Sequence, residues 1–137
     1  MREFIWQVRV YYEDTDSGGV VYYANYLKFL ERARTEWLRS FGIQQDELAE
    51  QDGLIFAVRS VQLEYEKPAK FNELLDVSVA ISKAGKASLT FEQTISHAEG
   101  DKQRLCTGQV KIACLTADTL RPQAIPEKIN REIMSGR

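Results

Sequence analysis

The strongest constraint on the fold is a change in the spacing of the apolar residues near Gly53. Before this point, apolar residues between Tyr26 and Phe41 recur every three or four positions, as on one face of an α-helix. After it, apolar and polar residues alternate in four segments, which is the pattern of half-buried β-strands. The apolar positions are Val61, Leu63 and Tyr65, then Val77, Val79 and Ile81, then Leu89, Phe91 and Ile95, and finally Val110, Ile112 and Cys114.

The connections between the four segments predict how the strands pair. The turn signals "KPAKFN", "KAGKA" and "AEGDK" are too short to hold a crossover helix, so neighbouring strands are expected to be antiparallel. A further strand is predicted over residues 4–13, and short helices over 44–51 and 127–134, with Pro126 in the first turn of the last one. The pattern predicts an α+β domain in which an antiparallel sheet packs around one long helix.

Length and composition narrow the classes of protein. A chain of 137 residues fits one domain, expected over residues 1–137. A formal net charge of −2 gives no reason to expect a nucleic-acid partner, and no apolar run approaches the roughly 18 residues of a membrane span. The start "MREFIWQVRV" lacks the apolar core of a signal peptide, so a cytoplasmic location is expected.

The sequence excludes several kinds of chemistry. His97 is the only histidine and no Gly-x-Ser-x-Gly is present, which argues against a serine hydrolase. We interpret His97 as a surface or turn residue, and we expect no metal site and no nucleotide cofactor, since ligand clusters and phosphate loops are missing from the sequence. Cys106 and Cys114 lie about 26 Å apart along one predicted strand. That distance rules out a disulfide between them, so both are expected to be buried thiols.

The corner "DTDSGG", from Asp14 to Gly19, lies between the first strand and the long helix and allows three interpretations. A calcium loop is disfavoured, because Gly18 and Asn25 occupy positions where carboxylate or amide ligands and a bidentate glutamate are required. An aspartyl phosphatase is disfavoured because that chemistry uses a parallel sheet. The third interpretation is an ordinary turn, in which Asp14 and Asp16 bind local amides.

The residues that follow the corner add a chemical possibility. "GGVVYYANY" leads directly into the long helix, whose first amides are unpaired and carry the positive end of the helix dipole. Gly18 and Gly19 would let a ligand approach the backbone closely. A carboxylate beside such amides combines a nucleophile or base with an oxyanion donor, which is what acyl transfer requires.

The stretch "RVYYEDTDSGGVVYYANYLKFLERARTEWL" closely resembles the signature of the hotdog-fold acyl-CoA thioesterases of the 4-hydroxybenzoyl-CoA thioesterase superfamily. It is most similar to the branch encoded with bacterial Tol-Pal envelope genes. The strong match covers residues 9–42, and "EYEKPAKFNELLDV", the later strands and "RPQAIP" extend a weaker one through nearly the whole chain. The resemblance implies a five-stranded antiparallel sheet wrapped around the long helix. It also implies a homodimer or homotetramer with active sites between subunits.

The resemblance also implies roles for individual residues. Asp16 would be the catalytic nucleophile or general base, and the Tyr23 backbone amide would bind the thioester oxygen. Close relatives in the Tol-Pal branch commonly have histidine at the position of Tyr23, whereas the 4-hydroxybenzoyl branch has tyrosine. Asp14 would shape the turn. Residues expected to contact substrate are Gly18, Gly19, Val20, Asn25, Tyr26, Lys83 and Lys86, the two lysines through coenzyme A phosphates.

The implied substrate is an acyl-CoA, or an acyl group on acyl carrier protein, and no cofactor is needed. Lys83 and Lys86 have a second interpretation as an ordinary solvated turn. The alternative for the whole chain is a hotdog domain that binds acyl thioesters, or a protein of an envelope complex, without turnover. A dehydratase is less favoured, because that chemistry uses a histidine near the helix and His97 lies elsewhere.

Overall fold

The fold is a five-stranded antiparallel sheet with one long helix on its concave side. The computed structural model describes residues 3–135. The strands pair in the order β1-β3-β4-β5-β2, which confirms the predicted α+β class and the five antiparallel strands. The elements are β1 (Phe4–Arg9), α1 (Asn25–Ser40), α2 (Gln45–Glu47), β2 (Leu54–Tyr65), β3 (Leu74–Ala84), β4 (Ser88–His97), β5 (Arg104–Thr116) and α3 (Glu127–Met134).

The element boundaries differ from the predicted ones in three places. β1 ends at Arg9 instead of residue 13, because Tyr12–Asp14 form a 3₁₀ turn that leads into the corner. The predicted helix over 44–51 is a single α-turn that continues as a π-helical turn over Leu48–Asp52. Pro126 immediately precedes α3 as its N-cap and does not lie inside its first turn.

Helix α1 packs closely on the sheet through the apolar stripe that its sequence predicts. Tyr26, Leu30, Ala33 and Trp37 are buried. Gly108 in β5 allows the close approach, because a Cβ atom there would lie 3.1 Å from Leu30 Cδ1 and 2.9 Å from a methyl group of Leu63. A methyl group at this position would therefore push the helix or the neighbouring strand away.

A buried glutamine ties α1 to the sheet with directional bonds. Gln93 is 1% exposed, and its Nε2 donates to the carbonyl oxygens of Leu30 at 3.1 Å and Ser78 at 3.2 Å. Its Oε1 accepts a hydrogen bond of 2.9 Å from Arg34. Burial lowers the pKa of the Arg34 guanidinium to about 10, so this side chain stays charged at neutral pH. These bonds fix the position of α1 along the strands more exactly than apolar contacts alone.

The predicted apolar face of the sheet is less completely buried along β2. Its register with β5 places Val61 opposite Val110 and Tyr65 opposite Cys106, on the side of the sheet that faces α1. Val110 and Cys106 are buried, whereas Val61 is 38% and Tyr65 47% exposed. The predicted face is therefore well covered along β3, β4 and β5 and only partly covered along the edge strand β2, where Leu63 packs against the core and Val61 and Tyr65 are exposed.

The two cysteines and the histidine lie in the sheet. Cys106 and Cys114 are buried free thiols, as predicted, and burial raises the pKa of Cys106 to about 11. His97, predicted as a surface or turn residue, is the last residue of β4 and is half-buried. Its Nε2 lies 2.9 Å from a carboxylate oxygen of Glu73. His97 therefore lies at the end of a strand and is partly exposed, where the β3–β4 pairing brings Glu73 to it.

Candidate active site

The corner between β1 and α1 is a tight turn that presents Asp16. The Gly19 amide donates to the Asp16 carbonyl at 3.1 Å, and the Asp16 amide donates to the Val20 carbonyl at 2.9 Å. Gly19 has a φ of 79°, in the left-handed region that side-chain-bearing residues rarely adopt. The second glycine of the corner is thus required for the backbone to reverse.

The Asp16 carboxylate is exposed and only partly engaged by the protein. The Gly18 amide donates to its Oδ1 at 2.8 Å. A Cβ atom at residue 18 would lie 3.2 Å from the same oxygen, so glycine leaves room for the side chain to fold back over the turn. Among residues 3–135, no donor contacts Oδ2. One carboxylate oxygen is therefore held by the turn and the other is free for a substrate or a water molecule.

Asp14 has the structural role that was predicted for it. It is 7% exposed, and its Oδ2 accepts a hydrogen bond of 2.8 Å from the Tyr11 amide. Its carbonyl oxygen accepts the Tyr22 amide at 2.9 Å and the Asn25 side-chain amide at 2.9 Å. The bond between Asp14 and Asn25 joins the corner to the first residue of α1. Asn25 therefore supports the start of the helix.

The start of α1 leaves backbone donors unpaired. Its first bonds run from the Asn25 amide to the Tyr22 carbonyl at 2.8 Å and from the Leu27 amide to the Ala24 carbonyl at 3.2 Å. Within the part of the chain that the structure describes, the amides of Tyr23 and Ala24 have no acceptor. These donors carry the positive end of the α1 dipole and are suited to a carbonyl oxygen that becomes negative.

A second loop, between β2 and β3, holds the corner in place. The Val21 amide donates to the Ala69 carbonyl at 2.9 Å, and Val20 forms a β-bridge with Lys70. The Ala69 amide in turn donates to the Tyr26 hydroxyl at 3.0 Å. Sequence reasoning missed this loop as a support, although it lies in "EYEKPAKFNELLDV", which carries the weaker part of the resemblance.

The side chains of Tyr22 and Tyr23 are exposed beside the turn. Their ring centroids lie 4.8 Å apart. The pKa of the Tyr22 phenol is raised, most of all by its interaction with the Tyr23 phenol and also by the negative charge of Asp16.

The two predicted phosphate-binding lysines do not join the other site residues within one chain. Lys83 and the exposed Lys86 lie at the hairpin between β3 and β4. The opposite end of β3 lies next to the corner, where Glu73 accepts the Val10 amide. At about 3.3 Å per residue, the ten residues from Glu73 to Lys83 span about 33 Å. The hairpin therefore lies at the far end of β3 from the corner.

The described residues hold neither a cluster of metal ligands nor a membrane-spanning helix. Over residues 3–135, His, Cys, Asp and Glu side chains form no group of three or more that could hold a metal ion. The helices within the same residues are too short or too polar to cross a bilayer.

Known proteins are similar to this chain in sequence and in fold. Residues 10–133 match the family model of the thioesterase-like superfamily. The acyl-CoA thioesterase YbgC of Haemophilus influenzae is 41% identical over 92% of this chain and 90% of its own length. A crystal structure of a probable thioesterase from Bartonella henselae is 38% identical, has a TM-score of 0.85, and covers 91% of this chain and 100% of its own.

A more distant structure supports the fold alone. It is a 1,4-dihydroxy-2-naphthoyl-CoA thioesterase from Synechocystis, 23% identical, with a TM-score of 0.90 over 97% of this chain and 96% of that one. The five-stranded antiparallel sheet with its long helix is the hotdog fold. The chain belongs to the thioesterase-like superfamily, and the predicted enzyme class of thioester hydrolase is confirmed.

Proposed function

We propose that the chain hydrolyses acyl-CoA thioesters to a carboxylic acid and free coenzyme A, with Asp16 as its catalytic carboxylate. The observation that carries the proposal is the free oxygen of Asp16 on a turn that leads into the unpaired amides of α1. The substrate class is supported by the YbgC relatives from Haemophilus influenzae and others at 35–41% identity, which are named as acyl-CoA thioesterases or thioester hydrolases.

Two routes satisfy the chemistry. In the first, a carboxylate oxygen of Asp16 attacks the thioester carbon, the C–S bond breaks, and coenzyme A leaves as a thiolate that takes a proton from water. Water then hydrolyses the mixed anhydride and restores Asp16. In the second, Asp16 takes a proton from water, the hydroxide attacks the thioester carbon, and the proton passes to the departing thiolate. In both routes the Tyr23 amide stabilises the oxyanion, and no cofactor takes part.

The remaining site residues have supporting roles in this proposal. Gly18, Gly19 and Val20 form the turn over which the thioester would lie, and Asn25 and Tyr26 hold the helix start against the corner and the loop that contains Ala69. The Tyr23 amide is a backbone group. It therefore remains a donor although the Tol-Pal branch commonly has histidine at this position.

We further propose that the active unit is at least a homodimer, with the tetramer as the larger form. The exposed apolar side chains of β2, including Val58 and Val61, lie on the side of the sheet that is buried elsewhere, and a second copy would cover them. The separation between Asp16 and the Lys83 hairpin supports a site between subunits. A cytoplasmic location, a link to Tol-Pal proteins and the use of acyl carrier protein stay predictions.

A panel of aromatic and aliphatic acyl-CoAs tests the function. We expect at least one acyl-CoA of the panel to release free thiol. The thiol is measured with a disulfide reagent that changes colour when it reacts. Background from the protein is expected to be low, because Cys106 and Cys114 are buried. Saturable acyl-CoA binding without thiol release would contradict the proposal and support the alternative of a non-catalytic acyl-thioester-binding protein.

The same assay tests the lysine hairpin. Lys86→Ala is expected to raise KM and to weaken its dependence on salt, because one phosphate contact would be lost. The substitution should leave the turn intact, because Lys86 bonds the Ile125 amide, at 2.8 Å, through its backbone carbonyl. Lys111→Ala, which removes an equal charge from β5, is the matched control. An unchanged salt dependence after Lys86→Ala would identify the hairpin as an ordinary solvated turn.

A further inference from the structure

One contact from the edge strand reaches the helix start directly. The hydroxyl of Tyr65, the last residue of β2, donates to the carbonyl oxygen of Tyr23 at 3.0 Å. The Tyr65 ring is held in place by Tyr26, with the two ring centroids 5.3 Å apart in an edge-to-face arrangement. This bond joins two elements that are 42 residues apart in the sequence.

The tight first turn of α1 is what frees the Tyr23 carbonyl. In a regular α-helix the Leu27 amide would bond the carbonyl four residues earlier, which is that of Tyr23. Here the Leu27 amide donates instead to Ala24, at 3.2 Å. The Tyr23 carbonyl is thereby available to a partner outside the helix, and the Tyr65 hydroxyl is that partner.

Both peptide planes around Tyr23 are consequently fixed. The plane before it contains the Tyr22 carbonyl and the Tyr23 amide, and it is held because the Tyr22 carbonyl accepts the Asn25 amide at 2.8 Å. The plane after it contains the Tyr23 carbonyl and the unpaired Ala24 amide, and it is held by Tyr65. Peptide groups are planar, so the bond from Tyr65 sets the direction in which the Ala24 amide points, next to the Tyr23 amide.

We infer that Tyr65 is a positioning residue for the hydrolysis, which orients the Ala24 amide as a second donor to the thioester oxygen, beside the Tyr23 amide, by anchoring the Tyr23 carbonyl. The inference rests on the proposed function and assigns a role to a strand that the sequence motif does not include. Without the hydroxyl, the Tyr23 carbonyl is free to turn towards the Leu27 amide, as in a regular helix, and the Ala24 amide in the same peptide plane loses its fixed direction. Preorganised donors matter most in the transition state, so kcat should fall while KM stays nearly constant.

Tyr65→Phe is the test, because it removes one hydroxyl and keeps the ring that packs on Tyr26. Loss of a single hydrogen bond predicts a decrease in kcat of about 3- to 10-fold, with KM within about twofold of wild type and the midpoint of urea unfolding nearly unchanged. The control is Tyr11→Phe, which removes the hydroxyl of another exposed tyrosine and should leave kcat within about twofold.

The outcomes separate this inference from the proposed function. Wild-type kcat in Tyr65→Phe, or a raised KM at constant kcat, overturns the positioning role while hydrolysis by the wild type still stands. A decrease in kcat that is matched by loss of folded protein also overturns it, since a structural role would then suffice. If the wild-type chain releases no thiol from any acyl-CoA, the proposed function itself fails, whatever Tyr65→Phe does.

Discussion

Asp16→Asn is expected to reduce kcat for thioester hydrolysis by about 10²- to 10⁴-fold, which is the usual effect of losing a general base or nucleophile. The side chain is exposed, and its one described bond is accepted by Oδ1 from the Gly18 amide, a bond that the asparagine oxygen can also accept. The fold should therefore be unaffected. Steady-state kinetics with the best acyl-CoA of the panel, together with circular dichroism, measure both quantities.

Asp14 provides the matched comparison two residues earlier. Asp14→Ala removes the acceptor of the Tyr11 amide, and loss of such a cap costs about 1 kcal/mol in the free energy of unfolding. The two substitutions should therefore have different effects. Asp16→Asn should lower kcat, and Asp14→Ala should lower the free energy of unfolding. If Asp16→Asn retained more than about a tenth of wild-type kcat, Asp16 would not be the catalytic carboxylate.

Phe91→Ala is expected to lower the free energy of unfolding by about 3 to 5 kcal/mol, a large part of the stability of a domain of this size. Phe91 is 1% exposed, and its ring meets Trp37 edge-to-face with the centroids 5.5 Å apart. The Arg34 guanidinium lies 5.9 Å from the centre of the same ring. Truncation would leave a cavity beneath α1 and remove the aromatic surface from a mostly buried cation.

Phe91→Leu is the control for this effect, because it keeps most of the apolar volume. Urea unfolding followed by tryptophan fluorescence reports directly on the site, since Trp37 is the neighbour. We expect a much smaller decrease in stability for the leucine variant than for alanine. Equal losses in the two variants would mean that the aromatic contact, and not the filled volume, determines the stability here.

The sequence predicted those parts of the fold that depend on local pattern. The spacing of Leu30, Ala33 and Trp37 is enough to identify the buried face of α1, and alternation identifies β3, β4 and β5. For β2 the pattern identified the face but not its exposure, because alternation shows which residues share a face and not how completely a helix covers them. Gln93 could not be foreseen either, since a polar residue at an apolar position only makes sense once Leu30, Ser78 and Arg34 are known to surround it.

For the site, the motif indicated the corner but not its supports. The local pattern treats Asp14 and Asp16 alike, and the resemblance supplied both the choice of Asp16 and the proposed chemistry. Tyr65 and Ala69 act through contacts that span more than 40 residues, and no local rule predicts such pairs. The sequence could not predict the distance between Asp16 and the Lys83 hairpin either, because this distance follows from the direction of β3 and not from any motif.

The exposed edge of β2 has a consequence for how the protein behaves in solution. This strand has 12 residues and, within residues 3–135, a single neighbour in the sheet, so one side presents unpaired amides and carbonyls beside apolar side chains. Such edges recruit other extended segments and promote aggregation unless they are covered. In the proposed dimer, dilution that separated the copies would therefore expose an aggregation-prone edge and loosen the strand that carries Tyr65. The solubility of the protein and the kcat of the proposed hydrolysis would then depend on the same strand.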